Sequence, residues 1–223
     1  MPSGLEAPRE SSGCIVLTGV DAIAALAKLG LDHPDDADRI RSFVRVAVRT
    51  AREKQVGYAS NYAGIVAHNE VLHGLCSILR DRGWNELERK NHLLIAHPDS
   101  GVTFGVSSAD QDTGIRQGDP CTRYPKGQMT RRVVIANHLR FDQTTPTFPK
   151  PALLRRNTYL LLFYDDIDRK QIRLEISRPL FMGSTNRLAG WDRRNILPPI
   201  DLSGAPAIKQ PGPVSFDVRV RRN

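Results

Sequence analysis

Cysteine is scarce in this chain: Cys14, Cys76 and Cys121 are the only three among 223 residues, and none belongs to a Cys-x-x-Cys pair. That excludes a disulfide framework and a cysteine zinc site. Long apolar runs are missing too, since no stretch approaches the ~18 residues needed to cross a bilayer. The first residues, Met1-Pro2-Ser3-Gly4-Leu5-Glu6, lack the basic and apolar regions of a secretory leader. The expectation is a cytoplasmic protein without a membrane partner. Also absent are an internal repeat and any phosphate-loop, dinucleotide, kinase or protease signature, so no cofactor is expected. Lysine is the scarcer cation, with 7 residues against 25 arginines.

What is present is ordinary globular composition, 40% hydrophobic and 25% charged, with a formal net charge of +8. The charge is uneven. Residues 101–223 carry 20 Lys and Arg against 11 Asp and Glu, a net of +9, while residues 1–100 are close to neutral. Arginine is suited to forked contacts with phosphate, which points to a polyanion partner, nucleic acid first.

The pattern along the chain predicts an α+β fold: a loose tail over 1–13, then one domain over 14–223, helical over 14–90 and mainly β over 91–223. Cys14–Leu17 admits a strand but reads better as the approach to a helix over 22–29. Pro34 and the acids after it open a second helix running to Gln55. Ser60 caps a third, whose Ile65, Val66, Leu72, Leu75 and Leu79 form an apolar stripe ending at Gly83. Period-two alternation then suggests a hairpin of 92–96 with 102–106. Residues 107–128 are polar and rich in glycine, the length of a functional or disordered loop. Residues 130–141 fit strand or helix equally.

The clearest unit is a hairpin over 158–180. With Asp165 opposite Lys170, Tyr159, Leu161 and Phe163 share one apolar face with Ile172, Leu174 and Ile176, and a one-residue slip destroys the match. Leu160, Leu162 and Tyr164 make the other face half apolar, which calls for cover by a helix or a protein partner. The Pro-rich stretch 197–213 reads as an irregular connection, and 214–221 as a final alternating strand.

Several constellations compete as sites. Arg41, Arg45, Arg49 and Arg52 share one helical face, a ridge able to track phosphates or simply a solvated flank. Arg116, Arg123 and Lys126 in the polar loop, followed by Arg131 and Arg132, complete the expected nucleic-acid surface. A second reading is a protein-interaction module on the outer hairpin face. A third is a metal-dependent nuclease or hydrolase built on 107–128 with Asp110, Asp112 and Asp119, but no catalytic or metal-ligating residue is assigned. The Cys76-x5-Arg82 spacing lies on an apolar helical stripe and reads as a buried thiol. Gly105-x-Ser107-x-Ala109 resembles a nucleophile elbow without the following helix. The short acidic spacings Asp165, Asp166, Glu175 and Asp168-Arg169-Lys170 read as turn and cross-strand residues. The six histidines read as structural, and Trp84 and Trp191 as plugs at the core edge.

Overall fold

The computed structural model describes residues 13–54, 58–59, 61–89, 92–141 and 157–204. Within them the chain runs β1 (Ile15–Thr18), α1 (Gly19–Ala27), α2 (Asp36–Glu53), α3 (Tyr62–Arg80), β2 (Asn85–Arg89), β3 (His92–Ala96), β4 (Val102–Ser108), α4 (Gln128–Phe141), β5 (Asn157–Asp166), β6 (Gln171–Met182) and β7 (Leu188–Asp201). The seven strands form one sheet in the order β1-β7-β6-β5-β4-β3-β2.

β5 lies at the centre of the sheet because its run Tyr159-Leu160-Leu161-Leu162-Phe163 is apolar on both faces. Its odd positions join α2 and α3 in the larger core, where Ile40, Val44, Leu75, Leu79, Phe104 and Leu161 are sealed from solvent. Its even positions, Leu160 and Leu162, join Val134 of α4, Ala109, Leu188 and Trp191 in a smaller core on the opposite face. Helices therefore cover both sides of the sheet.

The α+β expectation holds, but the sheet is mixed, not mainly antiparallel. β1 runs parallel to β7 and β4 parallel to β5; the other four pairs are antiparallel. Parallel partners are joined through long connections, which no local alternation reveals. β1 and β2 are strands within the stretch expected to be helical, and α4 settles the ambiguous 130–141 as helix.

The 158–180 hairpin forms with a register two residues away from the expected one. Asp166 faces Gln171, so Phe163 meets Leu174 and Leu161 meets Ile176. A shift of two preserves parity, and the apolar face stays intact. The turn takes four residues, Ile167–Lys170, with Lys170 at φ 51° and its N–H donating to the Ile167 carbonyl at 3.2 Å.

Leu197–Ile200 is not an irregular connection but the end of β7. Leu174 faces Leu197 and Ile172 faces Ile200, so Pro198 and Pro199 stand together opposite Arg173 in a bulge. That is where a strand tolerates residues without an N–H. The tail over 1–12, the Gln55 helix end, the Ser60 cap and the 214–221 strand lie outside the described residues.

Candidate functional site

The parallel pair β4/β5 ends with Ser107 and Ser108 beside Leu162 and Phe163. Beyond Ser108 the chain makes a long excursion that is stitched to the sheet. The Asp110 N–H donates to the Cys121 carbonyl at 3.0 Å, Thr122 N–H to Leu188 at 3.0 Å and Arg123 N–H to Ser108 at 3.1 Å. These bonds return residues 122–127 to the end of β4, facing the first half of α3. Between α3 and the returning segment lie two adjoining cavities, because the consecutive pairs Ala67–His68 and Ser107–Ser108 divide between them. The larger, about 300 Å³, is lined by Arg52, Gly64, Ala67, Arg123, Tyr124 and Asp165, among others. The smaller, about 180 Å³, is lined by His68, Asn69, His92, Ser107, Lys126 and Thr130 over an apolar floor.

The smaller cavity gathers three nitrogen bases and, among the described residues, no acidic side chain lines it. Burial pushes the Lys126 ammonium below its ordinary range. Burial first, then the neighbouring Lys126 and His92, hold His68 down to about 4. His92 is lowered for the same two kinds of reason, burial and then Lys126, and its Nε2 lies 3.5 Å from the Thr130 hydroxyl. Near neutral pH the site therefore holds neutral imidazoles beside an amine that burial disfavours as a cation. Unfolding releases His68 to a pKa near 6.5, so the unfolded chain binds more protons between about pH 4 and 6.5, and stability falls as pH drops through that window. His68→Gln is expected to remove about 1–2 kcal/mol of the difference in unfolding free energy between pH 7 and pH 5, measured by urea titration at both. An unchanged difference would show that His68 is solvated.

The eight arginines and one lysine expected to bind nucleic acid separate into groups. Arg52, Arg123 and Lys126 line the two cavities. The ridge on α2 lies across the sheet end and leads to them. Arg41 donates to the Pro199 carbonyl at 3.2 Å and pairs with Asp38 at 2.7 Å, whereas Arg52 Nε donates to Asp165 at 2.8 Å. Arg45 is exposed and Arg49 half-buried between them. Arg116, Arg131 and Arg132 are exposed but line neither cavity, and Arg131 donates to the Asn186 side chain. Arg123 stands 5.7 Å from the centre of the exposed Tyr124 ring.

Three further C-terminal arginines are structural. Arg173 pairs with Asp166 at 3.2 Å, Arg194 with Glu175 at 2.6 Å, and Arg178 with Asp192, all largely buried. Of the hairpin acids, Asp165, Asp166 and Glu175 are each held by their own arginine, Asp165 by Arg52. Among the described residues no group of three metal-ligating side chains forms. In the loop, Asp110 closes its own turn by accepting the Asp112 N–H at 3.2 Å, and burial raises its pKa. The Ser107 hydroxyl donates to the Ser108 carbonyl, and β4 leads into no helix there. Cys76 is buried in α3, and Trp84 and Trp191 are buried, with the Trp191 indole donating to the Pro120 carbonyl at 2.7 Å. On the outer hairpin face Leu160 and Leu162 are already buried under the chain's own Ala109, Val134 and Trp191, and Tyr164 is half-buried.

His68 and His92 read as structural in the sequence, yet both line the smaller cavity. They belong to different elements, α3 and β3, and only the crossing of α3 over the start of β3 and the end of β4 brings them to Lys126. No spacing rule reports such a meeting. Compared with known proteins, the chain matches no family model, no curated protein and no solved structure.

Proposed function

We propose that the protein binds nucleic acid along the end of the sheet marked by the carboxyl ends of β4 and β5, with the α2 ridge and the two cavities forming one cationic track. The observation that carries this reading is the gathering of Lys126, His68, His92 and Arg123 on two neighbouring cavities whose only acid among the described residues, Asp165, is paired with Arg52. Arg173, Arg178 and Arg194 are matched to carboxylates; among the described residues no carboxylate lines the smaller cavity beside Lys126. Arg45 and Arg49 extend the track, and the exposed ring of Tyr124 beside Arg123 offers a face on which a base stacks. Phosphate contacts position such a ligand without reading its sequence.

The test is fluorescence anisotropy with labelled single-stranded and duplex 20-mers over a range of salt. Log affinity is expected to fall steeply with log salt, and Arg123→Ala with Lys126→Ala is expected to weaken binding by about 10- to 100-fold and to reduce the slope by about 2. A flat slope, or no binding at low salt, overturns the reading.

A further inference from the structure

The smaller cavity differs from the rest of the track in shape as well as charge. At about 180 Å³ it has room for roughly six water-sized atoms at ~30 Å³ each, enough for one five-atom phosphate group and not for a strand passing through. Its polar lining supplies donors in three dimensions: the Lys126 ammonium, a ring N–H from each of His68 and His92, and the Thr130 hydroxyl, the Ser107 proton being held by the Ser108 carbonyl. Thr130 belongs to the first turn of α4, which brings the positive end of a 14-residue helix to the same wall.

We infer that this cavity is a seat for a terminal phosphomonoester, so that the track holds a nucleic-acid end whose phosphate enters between α3 and α4 while the adjoining nucleotide lies over Tyr124. This rests on the nucleic-acid reading and adds to it the class of group recognised. A diester inside a chain carries one charge and two substituents; a terminal phosphate carries close to two charges and one substituent, and so suits a closed recess lined by one ammonium, two imidazoles and, among the described residues, no acid.

The groups that line the cavity set the pH behaviour. His68 faces Lys126 on the 122–127 segment and His92 on β3; Asn69, Ser107 and Thr130 are uncharged, and no carboxylate among the described residues opposes them. An entering dianion favours protonated imidazoles, so binding takes up protons and tightens as pH falls from 7.5 to 6.

The experiment compares single-stranded 12-mers ending in 5′-phosphate, 3′-phosphate or hydroxyl at both ends, with a nucleoside monophosphate and inorganic phosphate as competitors, on the full chain. One phosphorylated oligonucleotide is expected to bind at least 10-fold tighter than the hydroxyl form, more so at pH 6. That preference is expected to disappear in Lys126→Met and to shrink in His68→Gln, each verified as folded by its thermal unfolding. Equal binding of all three with a steep salt slope overturns the end-recognition proposal and leaves the nucleic-acid reading standing. Binding of phosphate and the monophosphate, seen as shifts of the His68 and His92 ring resonances, without any oligonucleotide binding overturns the nucleic-acid reading and reassigns the cavity to a small phosphate ester. No response to any of these ligands overturns both.

Discussion

Replacing Arg194 by methionine is expected to destabilise the fold by about 3–5 kcal/mol, because it strands a carboxylate in the sheet. Glu175 is completely inaccessible and Arg194 nearly so. The Glu175 carboxylate accepts from Arg194 Nε at 2.9 Å and Nη2 at 2.6 Å, from the Ser177 hydroxyl at 2.7 Å and from the Gly114 N–H at 2.9 Å. Arg194 in turn donates to the carbonyls of Ile115 and Gly118. The pair thus pins the 110–118 excursion to the strands below it, and that same excursion leads into the segment carrying Arg123 and Lys126. Methionine fills the space but takes a donor from the Gly118 carbonyl and leaves a buried charge with only two neutral ones, while the Ile115 carbonyl keeps the Gly118 N–H at 3.1 Å. Coupling gives a sharper check than the single variant. Glu175→Gln in the Arg194→Met background removes the stranded charge and keeps an acceptor for Gly114, so the double variant is expected to be more stable than Arg194→Met alone. Urea denaturation of the two singles and the double measures this, and a loss below about 1 kcal/mol for Arg194→Met would mean that the pair is solvated.

Local chemistry announced the local elements. The α2 and α3 stripes, the β3/β4 hairpin and the faces of the β5/β6 hairpin follow from periodicities of 3.6 and 2, and even the two-residue error in register left every side chain on its correct face. Non-local pairing left no such mark. β1 is four residues long, and what makes it a strand is β7, nearly 180 positions away; nothing between Cys14 and Thr18 records that partner. The site was legible to a similar degree. The cations of α2 and of the polar loop were visible because charge can be counted, but which of them remain unpaired is decided by carboxylates brought from other strands. Asp165, Asp166 and Glu175 look in sequence like one acidic cluster. Alternation along β5 sends Asp165 to the opposite face from Asp166, four positions along β6 part Glu175 from the residue opposite Asp166, and each acid has its own arginine, while His68 and His92, unremarkable in isolation, become part of the cleft.

The docking of α4 sets the last large effect. Asn137 is fully buried at the seam between α4 and the sheet. Its Nδ2 donates to the carbonyls of Thr158 on β5 and Pro179 on β6, each at 2.9 Å, while its Oδ1 accepts the Thr158 N–H at 2.9 Å. Its own carbonyl accepts from Arg178 at 2.8 Å. One side chain thereby satisfies three backbone groups of two strands, and an unsatisfied buried group costs about 1–3 kcal/mol. Asn137→Ala is expected to lose about 3 kcal/mol or more, and Asn137→Leu, which restores apolar volume but no hydrogen bond, is expected to recover little of it. Asn137→Asp keeps the acceptor for Thr158 yet turns a carboxylate toward two carbonyls, and is expected to be at least as damaging at pH 7 and milder near pH 4, where a protonated acid donates to one of them. Because Thr130 at the start of the same helix lines the smaller cavity, a loosened α4 is also expected to weaken ligand binding at temperatures where the variant is still folded. Denaturation of the three variants at pH 7 and pH 4 is the measurement. Equal stability of Asn137→Leu and the parent protein would show that the seam is held by packing and not by these bonds.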